Sequence, residues 1–198
     1  MKKIGVISVI ILLLFISNMA CYKRVHCPGL PTNLDYFPYH DGQTLKYVNS
    51  QQDTVNFVIA QVTDNTKSVT CQESPKCPDC KCECGFGKTF SALGDTLQDR
   101  IPSIYAHFGV EGGGPKTITS ANIKLSFTCF VDDWSKSLFN KNIYKGEKIT
   151  YGQIDDFFND TISIENANNE VVKKIVIVKG KGLVSYTTAD GEEWKLVE

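Results

Sequence analysis

Between Ala121 and Val131 apolar and polar residues alternate, broken only at Phe130. Ile123, Leu125, Phe127, Cys129 and Val131 take one set of positions, and Asn122, Lys124, Ser126 and Thr128 the other. A period of two places alternate side chains on opposite faces of an extended chain, so this stretch suits a half-buried strand and would scatter its apolar groups around a helix. The period recurs in Leu45 and Tyr47, in Val55, Phe57 and Ile59, and in Ile104, Ala106, Phe108 and Val110. It returns more densely near the end, over Ile162 and Ile164, residues 171–178, 183–187 and 194–197. The two runs at 45–47 and 55–59 predict a hairpin turning through residues 49–53. Asp190-Gly191 predicts a second, tight hairpin that sets Tyr186 across from Trp194. Gly180 and Gly182 inside a strand-like run predict a bulge or sharp bend.

Helical spacing has little support. Leu93, Leu97, Ile101, Ile104 and Phe108 approximate it, but Gly94 and Pro102 interrupt it, and 103–110 reads better as a strand. Gly112-Gly113-Gly114-Pro115 ends that strand and leads flexibly to the one at 121, while Asp155-Asp156-Phe157-Phe158 suggests a single helical turn. Eight or so strands with short turns and no internal repeat predict one all-β antiparallel domain, a sandwich or a partly closed barrel.

The start of the chain is of another kind. Lys2 and Lys3 precede an apolar run from Ile4 to Ile16, interrupted only by Gly5 and Ser8, and Ser17-Asn18-Met19-Ala20 then leads into Cys21. Thirteen residues of helix rise only about 20 Å, against roughly 30 Å of bilayer hydrocarbon, so the run reads as a secretory signal peptide rather than a span. A cysteine at the cleavage point resembles a bacterial lipoprotein signal, which implies cleavage after Ala20 and acylation of Cys21. Asn18 stands where such signals usually carry Leu, Val or Ile. An ordinary signal-peptidase site fits less well, because Asn18 also replaces the small residue of an A-x-A pattern. The expected organisation is a signal peptide over 1–20, a lipidated cysteine and Pro/Gly-rich tether over 21–34, and a β domain over 35–198 with a Cys-rich loop at 71–85. Loss of Lys2 and Lys3 leaves 19 basic against 22 acidic residues, a net charge of −3. No clustered basic surface is implied, which argues against nucleic acid as a partner.

Seven cysteines follow Cys21. Cys77-Pro78-Asp79-Cys80-Lys81-Cys82-Glu83-Cys84, with Cys71 upstream, is the densest chemistry in the chain. An oxidising, exported setting favours disulfides among Cys27, Cys71, Cys77, Cys80, Cys82 and Cys84, with Cys129 as a plain core thiol. Four of the clustered thiolates could instead hold a soft ion such as Zn²⁺, although no second Cys-x2-Cys knuckle follows at the usual distance. Cys77-Pro78-Asp79-Cys80 could also be a redox pair, but the strand opening into a helix that activates such pairs is not visible.

No catalytic residue is assigned. His26 lies in the tether, His40 in a turn with Asp41, and His107 in a possible strand. Asp132-Asp133 and Asp155-Asp156 match no calcium loop and read as strand-end turns. Gly112-Gly113-Gly114 lacks the Lys-Ser or Lys-Thr of a phosphate loop. Asn159-Asp160-Thr161 fits the glycosylation pattern, which a bacterial lipoprotein has little reason to use.

The segments Tyr36-Phe37-Pro38-Tyr39-His40-Asp41-Gly42-Gln43-Thr44-Leu45-Lys46-Tyr47 and Lys179-Gly180-Lys181-Gly182-Leu183-Val184-Ser185-Tyr186, with Gly191-Glu192-Glu193-Trp194-Lys195-Leu196, resemble uncharacterised lipoproteins of the Bacteroidetes. The resemblance covers both ends of the mature chain and implies a small lipid-anchored β domain without an activity that can be carried over. Surface-exported lipoproteins of that group carry acidic residues just after the lipid cysteine. Lys23 and Arg24 stand there instead, which points to the periplasmic face, with the outer membrane as the expected membrane. The expected function is a non-catalytic binding or structural module of the envelope, its partner another envelope protein or an apolar small molecule. The alternative is a metal-binding or thiol-redox lipoprotein acting through the 71–84 cysteines.

Overall fold

The computed structural model describes residues 21–25, 29, 31–67, 69–73, 84–94, 103–112, 116–128 and 138–197. Residues 1–20, where a signal peptide is expected, and residues 74–83, 95–102 and 129–137, which include Cys129, lie outside the described residues. The chain is antiparallel β, as its alternation predicts, and most of it forms one ten-stranded sheet nearly closed into a barrel. In chain order the strands are β1 (Cys21–Val25), β2 (Thr44–Val48), β3 (Thr54–Lys67), β4 (Val69–Glu73), β5 (Cys84–Gly94), β6 (Ser103–Gly112), β7 (Thr117–Thr128), β8 (Leu138–Thr150), β9 (Thr161–Glu165), β10 (Val172–Val178), β11 (Gly182–Thr188) and β12 (Glu193–Val197). The wall runs β8-β7-β6-β5-β3-β2-β12-β11-β10-β9, and β1 pairs separately with β4. Its one short helix, α1 (Ile154–Phe157), is the turn expected at Asp155, preceded by a capping box in which the Thr150 side chain and Gln153 bond reciprocally.

Alternate residues of each wall strand point into the barrel. Ile104, Ala106, Phe108 and Val110 of β6 and Ala121, Ile123, Leu125 and Phe127 of β7 are buried, whereas Tyr105, His107, Asn122 and Lys124 face outward. The hairpin through 49–53 and the tight turn at Asp190-Gly191 form as expected, and Tyr186 and Trp194 are register partners whose rings stack at 6.2 Å. Gly180 and Gly182, both at positive φ, flank the turn between β10 and β11.

A barrel of eight strands is about as wide as its own side chains can fill. Ten strands enclose more, and this chain closes the surplus in two ways. At one end the walls are pinched together: Phe127 of β7 meets Tyr186 of β11 at 5.3 Å, although five strands separate them around the wall. At the other end, the segment before β2 enters the interior as a plug. After a single 3-10 turn at Thr32–Leu34, Leu34, Tyr36, Phe37 and Tyr39 are all buried, though none belongs to a strand. Tyr36 packs edge-on against Phe108 at 5.4 Å, and Phe37 and Tyr39 against Phe90 at 5.1 and 4.7 Å.

The polar groups that meet the plug are paired, whereas Asn122 Oδ1, Ser126 Oγ, the Tyr151 hydroxyl and Asn169 Nδ2 are buried without a partner among the described residues. Lys88 shares the inward face of β5 with Cys84, Phe86, Phe90 and Ala92, and its Nζ donates to Asp35 Oδ2 of the plug at 2.7 Å. Asp35 Oδ1 accepts the Phe37 N–H at 3.0 Å, and the Asp35 carbonyl accepts the Gly180 N–H at 2.8 Å. Deeper in, the Leu183 N–H donates to the Tyr39 hydroxyl at 2.6 Å, and the Tyr47 hydroxyl donates to the Leu183 carbonyl at 2.8 Å. The plug then turns into β2 at the β3 bulge, where Gly42 and Gln43 bond Ile59 at 2.8 Å each and Val62 N–H donates to Asp41 at 2.5 Å.

Gly182 is where plug and wall come closest. Its φ is +88°, and an added Cβ would lie 2.0 Å from the Tyr39 hydroxyl. Gly182→Ala is expected to cost at least about 3 kcal/mol, from overpacking and left-handed strain together, read as a lower urea midpoint. Asp35→Ala strands Lys88, whose side chain is 13 % exposed, and should cost roughly 1–3 kcal/mol, between the values for exposed and buried pairs. Adding Lys88→Met should recover most of that loss. No recovery would show that the pair does not act as a unit.

Candidate functional site

Among the described residues the plug and the pinch pack the interior with buried side chains. A small cleft, about 80 Å³, lies where the wall fails to close. Lys141, Asn142 and Ile143 of β8 form one side, Asn159, Thr161 and Ile162 at the head of β9 the other, and Tyr36 of the plug the floor. Lys141 is the register partner of Ile123, so it sits on the inward face of an edge strand. Its Nζ donates to the Ser163 carbonyl at 2.9 Å, and Asn166 Nδ2 donates to the Leu138 carbonyl at 3.4 Å. Tyr36 completes the floor by donating its hydroxyl to the Asn159 carbonyl at 2.7 Å. Beside the cleft, Lys179 is held by Asp155 of α1 at 3.2 Å and Asp160 at 3.0 Å, which fastens the β10–β11 turn to the start of β9.

The buried phenols are not acids: Tyr36 and Tyr47 donate to carbonyls, and Tyr39 accepts the Leu183 N–H. Burial holds the Tyr36, Tyr39, Tyr47 and Tyr186 hydroxyls well above the ordinary tyrosine value, with nearby Asp160 adding to the effect at Tyr36 and Glu192 at Tyr186. Burial also pushes Tyr151 up to about 12. At neutral pH all keep their protons and can brace the fold without taking part in proton transfer.

The residues singled out in the sequence are dispersed. Cys21 opens β1 opposite Glu73, and Cys71 of β4 is the partner of Lys23, so residues expected to be a free tether form a short ladder with the arm that continues β3. Cys84 is buried on the inward face of β5 and is disulfide-bonded, so in this state its sulfur is not a thiolate ligand. Cys27, Cys77, Cys80 and Cys82, along with His26, Asp132 and Asp133, lie outside the described residues. Among the described residues no three His, Cys, Asp or Glu side chains are grouped to hold a metal ion. The His40 ring meets the carbonyl of its neighbour Asp41 at 3.3 Å and its backbone bonds Gln43, while Asp41 caps the β3 bulge, so the two serve a turn. Asp155 binds Lys179 and Asn33, and Asp156 is exposed on α1. Gly112 ends β6, where an added Cβ would meet the Thr117 carbonyl, and Gly113 and Gly114 lie outside the described residues.

His107 stands on the outer wall, opposite Lys124 of β7 and Thr89 of β5. Partial burial first, and Lys124 second, lower its pKa below the ordinary 6.5. The unfolded chain therefore binds this proton more tightly, and the stability His107 contributes is full above pH 6.5 and lost as the pH falls through its folded value. An NMR titration should place His107 below 6.5, and Lys124→Gln should raise it only part of the way, because burial is the larger cause. Full restoration by that change would overturn the order.

Sequence reasoning missed Lys141 and Tyr36. A lysine in a polar edge strand looks like any exposed lysine, and the one available signal was its place amid Leu138-Phe139-Asn140-Lys141-Asn142-Ile143, where the inward position of a strand carries a charge. No protein-family model, curated protein or solved structure matches the chain.

Proposed function

We propose that the chain is a lipid-anchored module of the bacterial cell envelope that binds or braces a partner and catalyses no reaction. The observation that carries this reading is the filled interior. Tyr36, Phe37 and Tyr39 occupy the space in which a barrel of this size would otherwise hold a small molecule, so recognition falls to the edges and the outer wall. The tyrosines inside stay protonated, with Tyr36 and Tyr47 donating to main-chain carbonyls and Tyr39 accepting the Leu183 N–H, and His40, His107 and the described carboxylates are not assembled around a common point. The outward positions of β6 and β7 carry Tyr105, His107, Asn122 and Lys124, and apolar side chains turn inward, the reverse of a strand barrel that crosses a bilayer. That supports attachment through Cys21 rather than through the wall. The basic n-region, the short apolar run and Cys21 support lipid attachment, and the resemblance to Bacteroidetes lipoproteins points to the periplasmic face of the outer membrane.

The test is Cys21→Ser in cells fed labelled palmitate. The parent chain should take up label and sediment with membranes, and the variant should take up none and appear in the soluble fraction. A variant that stays labelled and membrane-bound would sink the anchor. Intact mass of the purified parent, before and after reduction and alkylation, separates the metal or redox alternative: retained metal, or four or more thiols alkylated only after denaturation, would favour it over a stapled scaffold.

A further inference from the structure

We infer that the seam between β8 and β9 is a strand-addition site whose occupant is an extended segment of a partner protein with a carboxylate on its inward face. The inference rests on the binding-module reading and names the partner's chemistry.

Every neighbouring pair in the ten-stranded order is joined by a backbone ladder, and β8 and β9 stand at its two ends. Lys141 and Asn166 show which carbonyls face the seam: those of Ser163 and Leu138. In an antiparallel strand the N–H and C=O of one residue point to the same edge and alternate along the chain. Thr161, Ser163 and Glu165 on one side, and Leu138, Asn140 and Asn142 on the other, therefore turn their backbone groups into the seam. Among the described residues no backbone hydrogen bond crosses it, and both groups that do cross are side chains. A ligand offering N–H and C=O at alternate positions to both edges is another extended strand.

Lys141 sets the charge. It lies on the inward face of β8, above Tyr36 and beside Ile162. Parting the edges takes its exposed ammonium from the Ser163 carbonyl and leaves it at the mouth of the seam without that acceptor. A carboxylate at that level of the incoming strand replaces the lost acceptor with a stronger one. An inward charge at an edge also deters pairing by unselected strands, so the same lysine closes the seam and selects what opens it.

The experiment is hydrogen exchange on the detergent-solubilised mature protein with two synthetic peptides, Thr-Ile-Thr-Glu-Thr-Ile-Thr and its counterpart with Lys in place of Glu. The glutamate peptide should slow exchange at residues 138–142 and 161–165 by about tenfold or more, and the lysine peptide should not. Asn140→Pro, which removes one seam-facing N–H at an edge where proline is tolerated, should abolish protection, and Lys141→Met should erase the preference for glutamate. Failure of the glutamate peptide at millimolar concentration overturns the site, and equal protection by both peptides overturns the carboxylate. Seam amides already protected in the free protein overturn the open edge, or assign it to a second copy if protection follows protein concentration. Palmitate labelling of Cys21 reads the anchor independently, so a negative peptide result leaves that part of the functional reading standing.

Discussion

The fold depends on filling a barrel that is too wide for its own wall. Eight strands would close around their side chains, but ten do not, and a cavity lined by Phe90, Phe108 and Phe127 would forfeit packing on every exposed ring. The plug removes that deficit, and the Asp35–Lys88 pair fixes its position. A lysine on the inward face of β5 would be a severe fault without Asp35. With Asp35 it becomes a positional key, because only one seating of the plug brings the carboxylate within 2.7 Å of Nζ. The Tyr39–Leu183–Tyr47 chain performs the same service on the opposite wall, where a break in the β10–β11 pairing frees both backbone groups of Leu183 to meet phenol oxygens.

The open seam follows from the same geometry. The wall is pinched where Phe127 meets Tyr186 and held apart where the plug sits, so its two free edges approach at one level and diverge at another. Two register shifts in the β7–β8 ladder, between Ile118 and Ser120 and between Ala121 and Asn122, bend β8, and β9 offers only five residues to match thirteen. Beyond β9, α1 takes over, with Tyr144 packed against Phe157 and Phe158 at 5.8 and 5.6 Å. What remains uncovered is the stretch from Leu138 to Asn142, and there side chains replace main-chain donors.

Strands that bury one face and wet the other were legible in the sequence, and their hairpins with them, because period two and turn chemistry are local signals. β5 was not. Gly85, Gly87, Lys88 and Gly94 break its apolar alternation, and the inward lysine reads as a surface residue until Asp35 is placed beside it. β8 was missed for the opposite reason. An edge strand exposed along most of its length has no reason to alternate, and Asn140-Lys141-Asn142 look like a loop. The plug was invisible as a plug: Tyr36, Phe37 and Tyr39 announce burial, but what they are buried in is a property of the whole wall and of no window of sequence. Gly182 was legible as a bend, and the reason for its lack of a side chain, the hydroxyl of the distant Tyr39, was not.

The plug is also the part of the domain nearest in sequence to Cys21, and that order has a mechanical consequence under lipid anchoring. Load applied at the anchor reaches the barrel through β1 and then through Asp35 and Tyr36. The β1–β4 ladder passes part of it to the arm that extends β3, and the remainder falls on the Lys88 pair, the Gly180 bond and the ring contacts of the plug. These bonds hold a segment inside a closed volume, so extracting it would open apolar surface to water along its whole length, and resistance would rise with each residue withdrawn. An anchor joined to an outer hairpin would instead peel strands one bond at a time. Under such anchoring a buried segment of the domain would carry the tension, and the Tyr36 hydroxyl on the Asn159 carbonyl would tie that segment to the seam.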